Sequence, residues 1–282
     1  GNSTARQEFT LYRETPAIHG RLEIDWHEEY QAVKLAFPFA LENPKATFSV
    51  PFGHIERPAG GQEEPSQQWL DVTGRPTSRR KAGGPNFAQL GEAGGVETAG
   101  APTTNNEYGI TIINDCKYGA DVLGGEARIS VLRSPIFGNG NRGATPVRPG
   151  ERYLDQGTQE MRWALLPHAG PWQSAPVVQA AQDFHEPLAF VREYAHAGDL
   201  PKQDSFVTID PPDALMLSAF KQAEDGDGLV LRLYEHRGRQ AAARIRIPMA
   251  KADFQVEAGP HQIKTYRVST GGQVRETNIL ED

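Results

Sequence analysis

Between two apolar runs the sequence places Asn114-Asp115-Cys116-Lys117-Tyr118-Gly119, bringing an amide, a carboxylate, a thiol, an ammonium and a phenol together in six residues. Paired hydroxyls, as on a sugar ring, are recognised by planar amides and carboxylates with a phenol or aromatic face beside them. Asn114, Asp115, Lys117 and Tyr118 supply that set in one place. Asn and Asp also favour turns, because their side chains bond the nearby backbone. A self-bonded turn with Lys117 paired to Asp115 explains the same residues without a ligand, and the residues alone leave both readings open. Cys116 has no evident base beside it and reads as a buried, inert thiol.

Further candidates lie downstream. Ala127, Ile129, Val131 and Arg133 share one face if side chains simply alternate along a strand. A charged residue ending an apolar row faces a wet cleft or needs a buried partner. Asp155, in Asp155-Gln156-Gly157, or Glu126 is the expected partner of Arg133. Two carboxylates about 5–10 Å apart suffice for glycoside hydrolysis, and a convergence of Asp25, Asp115 and Asp155 stays open. Glu224-Asp225-Gly226-Asp227-Gly228 has the composition of a calcium loop but lacks the ligand spacing and the terminal Glu, so a hairpin turn is expected. His19, His27, His54, His168, His185, His196, His236 and His261 show no His-x₃-His spacing, and no metal is expected on this chain.

The elements that must position these residues are strands. Around the turn, Ile110, Ile112 and Ile113 are β-branched and apolar, and Gly124-Gly125 suits a two-residue hairpin. Leu22, Ile24 and Trp26 alternate with Arg21, Glu23 and Asp25. Val33, Leu35 and Phe37 repeat the pattern, as do Ala46, Phe48 and Val50, then Met161, Trp163 and Leu165. Pro187 to Val191 and Phe206 to Ile209 are strand-like. Leu215, Leu217 and Ala219 with Leu229, Leu231 and Leu233 predict a hairpin. Ala243, Ile245 and Ile247 follow, then Phe254 to Val256 and Ile263 to Val268. Ser174 and Pro176 signal one short helix reaching Phe184. Many short strands between turns predict an all-β sandwich or barrel, not βαβ units.

Residues 59–106 differ: Gly, Pro, Gln, Ser and Thr dominate, with a short strand possible at Trp69, Leu70 and Val72, and the rest reads as a long loop. Residues 137–152 read as another Gly/Pro loop. The chain has 282 residues, 29 Gly, 21 Pro and a formal net charge of −7. No basic block marks a nucleic-acid surface. No apolar run approaches the roughly 20 residues of a membrane helix. The single cysteine excludes an intrachain disulfide and suits a reducing compartment, so a cytoplasmic location is the expectation.

Several of these pieces resemble, in order and spacing, the C-terminal β-domain of glycoside hydrolase family 38, the α-mannosidases, and within it the cytosolic and vacuolar branch. They are Ile24-Asp25-Trp26-His27-Glu28, Pro51-Phe52-Gly53-His54-Ile55-Glu56-Arg57-Pro58, the 114–119 turn and Leu132-Arg133-Ser134-Pro135. Asp155-Gln156-Gly157, Ala164-Leu165-Leu166-Pro167-His168, Ser218-Ala219-Phe220-Lys221, Glu224-Asp225-Gly226 and Ile263-Lys264-Thr265 continue the match. The departure is 59–106, a longer Gly-rich insertion. The resemblance implies one large antiparallel β-sandwich domain over 1–282, similar in architecture to galactose mutarotase. It implies zinc-dependent, retaining hydrolysis of α-mannosides by a larger enzyme whose zinc ligands and Asp nucleophile lie in a preceding part. This chain is then expected to be catalytically silent alone, to pack on the N-terminal catalytic domain through an exposed apolar patch, and to border the mannoside cleft. The lining residues would be Asn114, Asp115, Lys117, Tyr118, Arg133 and Asp155, and a homo-oligomer is possible in the larger enzyme. The alternatives are a free-standing carbohydrate-binding or aldose-epimerase-like module, which needs a His and Glu acid/base pair that strand parity does not assemble, and a structural domain without a ligand.

Overall fold

Alternating apolar residues fold as pleats whose two faces meet different surroundings. In the computed structural model, residues 1–76, 107–136, 152–199 and 201–282 are described. They gather into two compact units, Gly1–Phe48 with Glu56–Ala175, and Ser49–Ile55 with Pro176–Asp282.

The first unit is built on two antiparallel sheets. One has seven strands in the order β1 (Thr4–Leu11), β2 (Ile18–Trp26), β11 (Gly157–Ala169), β8 (Tyr108–Asn114), β7 (Trp69–Pro76), β4 (Leu41–Val50) and β5 (Gly53–Arg57). The other orders β3 (Ala32–Pro38), β10 (Glu126–Arg133), β9 (Gly119–Leu123) and β6 (Glu64–Pro65). Leu22, Ile24, Phe48, Leu70, Val72, Ile112, Met161 and Trp163 of the first sheet pack with Phe37, Ala120, Val122, Ala127, Ile129 and Leu132 of the second in one core. Phe37 meets Trp163 edge-on at 5.1 Å. Each large side chain of this kind contributes about 1.5–3 kcal/mol by leaving water.

The face of the seven-stranded sheet turned away from that core is also covered: Trp69 lies against Trp172, ring centroids 4.9 Å apart. Here Asp71 of β7 is wholly buried. Thr73 Oγ1 donates to its Oδ1 at 2.6 Å, and Thr111 Oγ1 of β8 donates to its Oδ2 at 2.8 Å. His168 Nε2 of β11 lies 2.7 Å from the same Oδ2, while its Nδ1 is 3.1 Å from the Gly170 carbonyl. Both ring nitrogens thus face oxygen atoms. Three adjacent strands are cross-linked through one carboxylate. The geometry requires Gly109, opposite both Thr73 and His168 in the register. A Cβ there would sit 2.3 Å from His168 Cε1 and 2.4 Å from Thr73 Oγ1.

In the second unit, a three-stranded sheet, β12 (Thr208–Asp210), β15 (Ala241–Ile247) and β16 (Ala252–Ala258), accompanies a four-stranded one. The latter orders β13 (Met216–Gln222), β14 (Leu229–Tyr234), β17 (Ile263–Val268) and β18 (Val274–Thr277). Ala243, Ile245, Ile247 and Val256 pack with Leu231, Leu233, Tyr266 and Val268. The predicted hairpin of β13 and β14 is formed. After β14, the buried Glu235 carboxylate accepts from the backbone amides of Arg237 at 2.6 Å, Gly238 at 2.8 Å, Arg239 at 3.2 Å and His261 at 3.0 Å. The helix α1 (Val177–His185) is the one predicted, preceded by a 3₁₀ turn at Trp172–Ser174.

Two expectations change. The possible short strand at Trp69, Leu70 and Val72 is real but longer, β7 running to Pro76 as an interior strand whose Leu70 and Val72 are core, and β6 adds a second short strand to the segment read as loop. Burial on both faces of β7 outweighs the low strand propensity of Gly74 and Pro76. Residues 77–106 and 137–151 lie outside the described residues. Residues 187–191 form no strand, because among the described residues no neighbouring strand pairs with them. No helix among the described residues is long and apolar enough to cross a membrane.

Gly109→Ala is expected to lower stability by about 1–3 kcal/mol, since the methyl must displace Thr73 or His168 from the buried Asp71 carboxylate; an unshifted urea midpoint would disprove the close approach. Glu235 gives a pH-dependent expectation. Burial raises its pKa, but the amides of His261, Arg237, Gly238 and Arg239 together hold it below the ordinary 4.5. Its charge therefore stabilises the fold above that value, and the contribution is lost as pH falls through the lowered one. Glu235→Gln should cost about 2 kcal/mol at pH 7, and the gap to wild type should narrow below pH 4.5. A gap in melting temperature that stays constant from pH 7 to 3 would contradict this.

Candidate functional site

The chain leaves the seven-stranded sheet at Asn114 and enters the four-stranded sheet at Gly119, so the polar turn bridges the two sheets at one end of the first sandwich. Asn114 is buried, and its Oδ1 accepts from the amides of Lys117 at 2.7 Å and Cys116 at 3.3 Å. This Asx turn is the usual alternative to a regular ladder for an Asn. Asp115 accepts from the Arg162 amide at 3.0 Å and from Arg162 Nε at 2.9 Å. Its partner is Arg162 of β11, not the Lys117 of the self-bonded alternative. Burial pushes the Asp115 carboxyl up, but the Arg162 guanidinium and amide outweigh it and hold the pKa below the ordinary value.

Cys116 is exposed, a correction to the buried thiol expected. Its Sγ turns back to the Glu160 carbonyl at 3.6 Å. Desolvation of the sulfur, then the Asp115 carboxylate, push the thiol up to about 11, which leaves little thiolate for nucleophilic work. Lys117 is half-buried, and Tyr118 is 58% exposed. Among the described residues, neither Lys117 Nζ nor Tyr118 Oη has a hydrogen-bond or ion-pair partner. The hairpin after β9 is as predicted: Gly124 has φ 56°, and a Cβ on Gly125 would meet the Phe39 carbonyl at 2.5 Å.

Arg133 does not continue the apolar row. The register slips between Ser130 and Leu132, so Val131 and Leu132 are both buried and Arg133 emerges exposed. A bulge adds one residue to one strand and reverses the parity beyond it. The expected link to Asp155 exists in another form: Asp155 Oδ2 accepts from the Arg133 amide at 3.0 Å rather than from a buried guanidinium. Asp155 itself is exposed, in a left-handed conformation at φ 53°.

Topology brings the candidates to one end of this unit. Arg133 is close enough to act on the Glu63 carboxylate, and a Cβ on Gly119, at the end of the turn, would lie 3.1 Å from Glu63 Oε1. Asp155 lies just before β11, whose first residues run past the turn. A polar row missed in the sequence continues from there. Glu63 Oε2 accepts from Lys34 Nζ at 2.8 Å and from Ser130 Oγ at 2.8 Å. The wholly buried Asp121 pairs with Lys34 and with Arg128, whose Nε lies at 2.6 Å. Lys34 first, then Ser130 and finally the nearby Arg133 hold Glu63 below its ordinary pKa. The signal was the outward parity of Lys34, Asp121, Arg128 and Ser130, hidden by placing Glu63 in a loop.

Other candidates resolve as structure. Asp25 faces His27 at 3.0 Å, so Asp25, Asp115 and Asp155 each have a separate partner. Asp225 is held by Arg267 Nη2 at 2.8 Å and bonds the Asp227 amide, as a hairpin turn does. Glu235 lies near His54, His236 and His261, the composition an epimerase would use, but both its oxygens are taken by backbone amides. Among the described residues no three His, Cys, Asp or Glu side chains converge as a metal centre requires. Zinc therefore does not fit the residues described.

Residues 1–141 match the glycosyl hydrolases family 38 C-terminal domain, and residues 214–282 match the glycosyl hydrolases family 38 C-terminal beta sandwich domain. Alpha-mannosidase 2C1 of Mus musculus is 30% identical over 240 residues, 84% of this chain and 19% of that protein. Alpha-mannosidase G of Dictyostelium discoideum is 24% identical over 240 residues, again 84% of this chain and 19% of its own length. A crystal structure of an alpha-mannosidase from Enterococcus faecalis V583 superposes with a TM-score of 0.69 at 14% identity, covering 94% of this chain and 29% of that one, a likeness of fold. The chain thus spans about a fifth of the length of these curated relatives. The two family matches and the 30% identity over most of the chain establish that it belongs to the C-terminal domains of glycosyl hydrolase family 38.

Proposed function

We propose that this chain is the C-terminal β-sandwich portion of a zinc-dependent, retaining α-mannosidase. It packs on the catalytic portion and borders the glycone pocket with the 114–119 turn. The observation that carries the reading is the 30% identity, over 84% of this chain, to a protein named as an alpha-mannosidase of which it spans only 19%. Hydrolysis then belongs to the rest of the polypeptide, and this chain contributes shape and polar contacts.

The division of labour within the turn supports the pocket assignment. Asn114 and Asp115 spend their oxygens on the turn and on Arg162. Lys117 and Tyr118 are left with polar heads that no described protein group engages. An ammonium donates to hydroxyl oxygens, and a phenol both donates and accepts or lays its ring against the C–H face of a sugar. Arg133, exposed at the same end, and Asp155, which fixes the Arg133 backbone, would complete the rim.

In the full-length polypeptide, Lys117→Ala is expected to lower kcat/KM on 4-nitrophenyl α-mannoside about ten-fold or more, the worth of one charge-assisted hydrogen bond. Tyr118→Phe should give a smaller loss, and both should leave the melting temperature in place. Asp115→Ala should instead lower the melting temperature, by removing the carboxylate that holds the Arg162 amide and Nε. Wild-type kinetics in both Lys117→Ala and Tyr118→Ala would reduce the turn to a structural role.

A further inference from the structure

Beyond α1, residues 187–199 run as extended chain outside every sheet. Four large apolar side chains fall within seven residues there: Leu188 is 84% exposed, Phe190 90%, Val191 86% and Tyr194 80%. Leu188, Phe190 and Tyr194 share one parity, and Val191 lies on the other. The hydrogen bonds of the segment are local: the Tyr194 amide donates to Glu193 Oε1 at 3.0 Å, and His196 Nδ1 lies 2.9 Å from the Ala197 carbonyl. Leu188-Ala189-Phe190-Val191 is a short apolar, strand-like run, while among the described residues nothing pairs with its backbone or covers its side chains.

We propose that residues 187–199 are a docking arm for the rest of the same polypeptide, laid along an open strand edge with apolar pockets for Leu188, Phe190 and Tyr194. The inference rests on reading the chain as the C-terminal portion of a longer α-mannosidase, and it names the element that joins the two portions. Three observations select this occupant. A segment that no strand pairs with, carrying Leu188, Phe190 and Tyr194 on one parity, has the chemistry of strand addition, in which main-chain bonds give affinity and alternate pockets give specificity. The arm is tethered at both ends, by α1 and by β12, so its ordering entropy is partly met before docking. The chain spans 19% of its relatives' length, so most of the surface able to cover the arm is joined to it covalently. A joined partner acts at millimolar effective concentration, well above that of a second copy in dilute solution.

Hydrogen–deuterium exchange of this 282-residue chain and of the full-length polypeptide tests the arm. In this chain, amides 188–198 are expected to exchange within about ten-fold of the unstructured rate, and in the full-length protein about a hundred-fold or more slower. Leu188→Ser with Phe190→Ser should restore fast exchange in the full-length protein and leave the melting curve of this chain unchanged. Equal exchange in the two proteins overturns the proposal. Slow exchange in this chain that increases with its concentration assigns the arm to a second copy, and overturns it as well. Hydrolysis of 4-nitrophenyl α-mannoside by the same full-length preparation reports independently on the enzymatic reading, so the failure of either is recognised apart from the other.

Discussion

A carboxylate with no access to water must be met on every side, and Asp71 imposes that demand on the centre of the seven-stranded sheet. It is met by Thr73 on its own strand, Thr111 on the next and His168 on the one beyond. An unpaired charge in that place would cost several kcal/mol, so the register of β7, β8 and β11 is held by electrostatics as well as by the hydrophobic pattern. The polar turn depends on this frame. Its first residue, Asn114, ends β8, and its anchor, Arg162, lies on β11. Two of the three cross-linked strands therefore hold the polar turn.

Turn chemistry and site chemistry use the same residue types, and the structure separates them by what each polar atom already touches. Asn114 and Asp115 are occupied by the fold; Lys117 and Tyr118 present themselves outward. Side chains held in place by neighbours can position those that are not, and a rigid base lowers the cost of ordering a contact. The row of Lys34, Glu63, Asp121 and Arg128 plays a similar part on the adjacent sheet, fixing the surface from which Arg133 emerges.

Much of the fold was legible because it is written in alternation. Leu22, Ile24 and Trp26 face the core as parity requires, and so do Ala243, Ile245 and Ile247. The failures have local causes. The short strand expected at Trp69, Leu70 and Val72 runs on to Pro76, because pairing with β4 and β8 makes it interior despite its Gly- and Pro-rich surroundings. Arg133 was misplaced because parity counts residues and a bulge changes the count. Residues 187–191 carried a genuine strand pattern, but a strand exists only where a partner does. At the site, residue types indicated where polar chemistry gathers. They could not say that Asp115 would be taken by Arg162, because that contact joins positions 47 apart in sequence.

The slip within β10 carries a consequence for how this strand tolerates change in length. Upstream of it the odd positions answer to the core, and beyond it the inward position is Leu132. Deleting Val131 would restore simple alternation and still leave the next residues out of step with the loop that receives them. Homologues aligned across this strand should therefore keep its residue count more strictly than its residue identities. A gap there would remove one of the two consecutive aliphatic side chains, Val131 and Leu132, that the bulge turns inward, and leave a void even where every neighbouring letter matched.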